Sequence, residues 1–185
     1  MRLLSCLPRF ACVLLALAFA SCGSVHREFR NMSITLPGSW QEASAPVPGT
    51  FAAVDASRDG ADLLMVIPKR ISIDPRGLNS GTLRSLGETL QKGTIAAMTS
   101  KGAKNVKTLG RSHGQFGGVP AVGQVFGATL TYRDGQAGDV VISSRVYLTK
   151  GELYNVSLRE SAESHRQDPG YFERLMQRAV VVSPR

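Results

Sequence analysis

The stretch DVVISSRVYLTKGELYNVSL, Asp139 to Leu158, decides the fold. Its residues alternate with period two, the signature of strands rather than of a helix. Val140, Ile142, Val146 and Leu148 fall on one face, and Ser143, Arg145 and Thr149 on the other. Lys150-Gly151 interrupts the alternation as a tight turn. A connection that short makes the flanking strands pair antiparallel.

Working upstream, PAVGQVFGATLTYR (Pro120–Arg133) reads as another strand, joined to the first by the turn residues Asp134-Gly135. NVKTLG (Asn105–Gly110) is a shorter one. Before it stands SGTLRSLGETLQKGTIAAMTSKG, in which Leu83, Leu86, Leu90, Ala97 and Met98 recur at helical spacing. Ser80 is placed to cap this helix and Gly102 to end it. Gly87 and Gly93 each weaken it by about 1 kcal/mol relative to Ala, which predicts a break near Gly93.

Nearer the start, MSITL alternates and PGSW turns the chain. TFAAVDA and ADLLMVIPKRISI flank Ser57–Gly60 as a hairpin, with Pro68 predicting a break or a sheet edge. At the other end, Asp168 and Pro169 are suited to start a helix. Its apolar stripe is Phe172, Leu175, Met176, Ala179 and Val180. The pattern is α+β: an antiparallel β-sheet covered by two helices.

The chain has 185 residues and a formal charge of +8, which favours anionic partners and says nothing about fold. Its first segment differs from the rest. Arg2 and Arg9 are the only charges before the apolar run ACVLLALAFA (Ala11–Ala20). That run is about half the length a spanning helix needs, so the segment reads as a signal peptide. Small residues at Ala20 and Ser21 suit cleavage, and Cys22 follows at once. This resembles the bacterial lipobox, with Phe19 where Leu is commonest. The resemblance implies acylation of Cys22 as the first mature residue. Cysteine usage agrees: Cys6 and Cys12 fall in the leader, leaving Cys22 as a lone thiol that acylation would protect. The expected organisation is a leader over 1–21, lipidated Cys22 with a polar tether over 22–31, and a single α+β domain over 32–185. In lipoproteins of organisms with two membranes Asp after the cysteine is the usual inner-membrane signal, so with Gly23 there the resemblance implies the outer membrane; the periplasmic side is the expected face.

Four pieces together resemble the PsbP-like fold: ITLPGSW, GVPA, RVYLTKGELYNVSL and YFERLMQRAVV. That fold is shared by photosystem II subunit P, DcrB-type bacterial lipoproteins and mycobacterial Lpq-type lipoproteins. The resemblance carries no catalytic signature. It implies a non-enzymatic binding or assembly module.

Candidate chemistries were weighed against that expectation. GRSHG (Gly110–Gly114) spells the G-x-S-x-G elbow of serine hydrolases, and Asp134 or Asp139 and then His165 follow in a workable order. QFGGVPAVGQV after it starts no helix, so a glycine-rich hairpin loop is the preferred reading and a Ser112 hydrolase the alternative. DASRDG imitates a calcium loop at Asp55, Ser57, Asp59 and Gly60, but Val66 stands where the closing Glu belongs. His26, His113 and His165 lie far apart and predict no metal site. No cofactor is expected. Lys101, Lys104, Lys107 and Arg111 form a basic run without interleaved aromatics in a chain read as exported, so no nucleic-acid partner is expected. The preferred reading of the run is a solvated face, and the second is a contact for an envelope protein, anionic lipid or glycan. Trp40, Tyr147 and Tyr154 are assigned to packing, with a partner surface as the second reading.

Overall fold

The alternation of Asp139–Leu158 becomes two long strands, β8 (Ala137–Thr149) and β9 (Glu152–Ser161), paired antiparallel around Gly151. Gly151 has φ +82°, a left-handed geometry that favours glycine. The structure is a computed structural model that describes residues 23–45, 47–58, 62–132 and 134–183. The remaining strands are β1 (Val25–Glu28), β2 (Met32–Leu36), β3 (Trp40–Ala43), β4 (Phe51–Asp55), β5 (Leu63–Arg70), β6 (Lys104–Phe116), β7 (Val119–Thr131) and β10 (Val180–Val182). The helices are α1 (Ser80–Ser100), α2 (Ala162–Gln167) and α3 (Tyr171–Ala179). Seven strands form an antiparallel sheet in the order β3-β4-β5-β9-β8-β7-β6. A second sheet has the order β1-β2-β10.

Both faces of β8 are covered. Val140 and Leu148 pack in small clusters on the α1 side, with Ala103, Ala128, Leu83 and Val122. Tyr147 faces the other way, into the large core between the seven-stranded sheet, the three-stranded sheet and α3. Met32, Ile34, Trp40, Phe51, Leu64, Tyr154, Leu158, Phe172 and Met176 fill that core. Ser143, Arg145 and Thr149 share the face of Tyr147 and are buried, so the polar side of this strand is interior.

Several expectations are corrected. The segment read as a tether contains β1, which pairs with β2 from Val25↔Leu36 to Glu28↔Ser33. Phe29 fixes its end by an edge-on contact with Tyr154, ring centroids 5.8 Å apart. Helix α1 is unbroken at Gly93, and Asn79 rather than Ser80 caps it, accepting from the Thr82 N–H. Gly87 has a purpose the propensity scale cannot see. A Cβ there would stand 3.0 Å from Val122 Cγ1, and Gln124 Nε2 donates to the Gly87 carbonyl at 2.7 Å. The glycine lets the helix backbone lie on β7. Strand β5 runs through Pro68 to Arg70 between two neighbours, but β4 pairs with it only over Leu63–Val66. Pro68 is therefore at a local edge. Asp168 does not cap α3. It closes the additional helix α2, and its carboxylate pairs with Arg174. Helix α3 ends at Ala179, and Val180 leaves it to pair with Ile34.

Candidate functional site

GRSHG lies inside β6, neither on a hairpin loop nor at a strand-to-helix elbow. Ser112 pairs with Gly123, and its Oγ occupies the space that a Gly123 Cβ would need, 2.3 Å away. The serine thus lies flat over β7. His113 pairs with Val122 and so projects from the opposite face of the strand. His165 is on α2, held against Glu160, and Asp134 accepts from the Gln136 N–H in the β7–β8 turn. Strand β6 turns at Gly117-Gly118 into β7, so no helix follows the serine. These positions do not assemble a nucleophile, base and orienting acid.

The basic run is divided by the pleat. Lys104 and Lys107 pair with Thr129 and Gly127, while Arg111 pairs with Gln124 on the other face. Lys101 follows the last turn of α1. Arg111 Nη1 donates to Gln91 Oε1 at 3.0 Å and Gln91 Nε2 donates to Thr108 Oγ1 at 2.6 Å, tying α1 to β6. Strand β6 is an edge, and its lysines and two register shifts are the devices that blunt an exposed edge against further pairing. A cleft of about 350 Å³ between α1 and this strand is lined by Arg84, Glu88, Arg111 and His113.

The most connected polar group was not foreseen. Arg58 Nε meets Asp62 Oδ2 at 3.0 Å and its Nη1 meets Glu160 Oε1 at 3.3 Å. Its guanidinium lies 4.1 Å from the centroid of Tyr171. Tyr171 donates to Asp55 Oδ2 at 2.9 Å, and Asp55 also accepts from Ser57 N and Oγ. The expected β4–β5 hairpin is present as an antiparallel pair. Asp59 and Gly60 of the calcium-loop reading lie outside the described residues, and Val66 is a core residue. Burial pushes Glu160 above the usual carboxylate range, with Asp62 adding to it and His165 and Arg58 opposing. Burial acts the same way on Asp55, but the hydrogen bonds from Ser57 and Tyr171 outweigh it and hold the carboxyl low. Burial and the bond to Asp55 push Tyr171 up to about 12. This network fastens the β4–β5 hairpin to β9, α2 and α3. Among the described residues no group of three His, Cys, Asp or Glu could hold a metal.

Arg145 is a second inward-facing cation and more deeply buried than Arg58. Its guanidinium is 3.9 Å from the Phe116 centroid and 6.0 Å from that of Phe172. Its Nη2 donates to Glu173, which is half exposed. Burial raises Tyr147 above the usual phenol range, and Arg145 opposes it. The sequence carried one signal for this residue: an arginine in the middle of the apolar strand ISSRVYL. Trp40, Tyr147 and Tyr154 are core residues, as their packing assignment expected. Cys22 and residues 1–21 lie outside the described residues.

Neither a protein-family model nor a curated protein sequence matches the chain. Solved structures do. The solution structure of cyanobacterial PsbP (CyanoP) from Synechocystis sp. PCC 6803 aligns with a TM-score of 0.62 at 16% identity, covering 89% of this chain and 99% of that one. The Ran-binding protein Mog1p of Saccharomyces cerevisiae aligns with a TM-score of 0.56 at 14% identity, covering 88% of this chain and 96% of that one. The chain therefore has the PsbP-like fold, an α+β architecture built on antiparallel sheet. At these identities the likeness is one of fold.

Proposed function

We propose that this protein is a bacterial envelope lipoprotein, anchored through acyl chains on Cys22 and acting as a non-enzymatic binding or assembly module at the membrane. The observation that carries the reading is the coincidence of the charged start, the apolar run Ala11–Ala20 and Cys22. In an organism with two membranes, the lipobox resemblance with Gly23 rather than Asp after the cysteine favours the outer membrane, and we take the periplasmic side as its face. The fold supports the binding half of the reading, since it is shared with a protein described as Ran-binding. Among the described residues no helix is long and apolar enough to cross a membrane.

The start of β1 at Val25 changes the picture of the anchor. Three peptide steps from Cys22 span at most about 11 Å. An acylated Cys22 would hold the folded body against the bilayer, with no free reach. Two or three chains make such attachment lasting, at about 0.8 kcal/mol per buried methylene. Confinement to that layer raises the effective concentration of any envelope partner.

Fractionation of the native host tests the anchor. The wild-type chain should sediment with membranes, and Cys22→Ser should be released. In-cell crosslinking then identifies the partner. A fluorophosphonate probe tests the catalytic alternative: it should leave the protein unlabelled, and labelling lost in Ser112→Ala would overturn the non-enzymatic reading.

A further inference from the structure

A cavity of about 330 Å³ opens where the tip of the β6–β7 hairpin meets α3 and β10. Arg145 forms its floor, Phe116, Tyr147, Met176 and Val182 supply apolar wall, and Glu173 stands at the rim. A buried guanidinium is costly unless its charge and its five N–H donors are matched. Here the match is incomplete. The Arg145 side chain is 4% exposed, and its Nε is buried without a hydrogen-bond acceptor. Its carboxylate partner, Glu173, is 53% exposed and sits in the first turn of α3. Stacking on Phe116 steadies the cation but occupies none of its donors.

The lining is mixed, with Gln115 and Gln177 beside the apolar side chains. A planar, aromatic-backed cation at the base of such a cavity is an arrangement that recognises a carboxylate whose small body lies on the apolar side. We propose that the cavity binds a small apolar monocarboxylic acid. Its carboxylate takes the Arg145 fork in place of Glu173, and its hydrocarbon or aromatic part lies against Phe116, Tyr147 and Met176. Glu173 is then an internal competitor that keeps the empty site neutral.

Phenylacetate is a suitable probe, titrated into the purified, isotope-labelled full chain and followed by amide shifts. Saturable shifts should appear around Phe116, Arg145 and Glu173. Phenylacetamide, which has the same shape without the charge, should give none. Glu173→Gln removes the competitor and should tighten phenylacetate binding severalfold, up to about fivefold, the scale of a partly exposed ion pair. Arg145→Met should abolish it, with circular dichroism confirming the fold. If that variant does not fold, Glu173→Gln still decides. The proposal fails if neither wild type nor Glu173→Gln shows saturable shifts, if the amide binds as well as the acid, or if Glu173→Gln leaves affinity unchanged.

Discussion

One face of the seven-stranded sheet carries α1, and the other carries α3 with the three-stranded sheet. The second face holds the large core, where Ile34, Leu64, Tyr154 and Leu158 are wholly buried. On the first face, α1 is 21 residues long yet buries only Leu83 and Gly87. Leu86 and Met98 add partly buried apolar contact, and the rest of its hold is polar: Gln124 to the Gly87 carbonyl, and Gln91 to Thr108 and Arg111. Buried apolar area sets most of the free energy of packing, so the two layers differ in how easily they leave the sheet. The lesson is that one sheet can serve as a rigid core on one side and as a platform for a more lightly held helix on the other.

The comparison breaks most readily at the core. Leu158→Ala should cost about 4 kcal/mol and Leu83→Ala about 2 kcal/mol, measured by urea denaturation. Equal losses would mean that the α1 face is packed as firmly as the large core. The helix cap comes next: Asn79→Ala should cost about 1 kcal/mol, because the Thr82 N–H loses its acceptor. The two glycines then sharpen the account. Gly93 has open space around it, so Gly93→Ala should stabilise by about 0.5–1 kcal/mol. Gly87→Ala should forfeit that gain against Val122. A stabilising Gly87→Ala would show that the helix can lift off β7 at little cost.

The smallest effect concerns pH. Glu160 is raised in the folded state, so the fold binds its proton more tightly than the unfolded chain does. Stability from this group is therefore present at low pH and declines as pH rises above about 4.5, its ordinary value. Asp55, held low, acts in the opposite sense and loses its contribution as pH falls through and below about 3.8. Glu160→Gln should flatten the decline above pH 4.5, read from melting temperatures across the range.

Elements with strong local pattern were legible in the sequence. Strand β8, the β8–β9 turn, the β4–β5 hairpin and the α3 stripe follow from period and turn chemistry in contiguous residues. What escaped depended on distant partners. Gly87 looks like a weak point in a helix until Val122 is placed against it. Strand β1 has too few residues to show a pattern, and only its pairing with β2 makes it a strand. GRSHG is punctuated like a loop, but β7 offers it Gly123 and a complete ladder. The buried charges were invisible for the same reason. Arg58 and Asp62 are four residues apart, but Glu160 is about a hundred residues away and reaches them only through the sheet.

Intact-mass analysis of the protein taken from its native host tests the lipid anchor most directly. The account predicts a polypeptide beginning at Cys22 and heavier than its sequence by two or three acyl chains with their glyceryl link. A chain with an unmodified Cys22, or one still beginning at Met1, would contradict it.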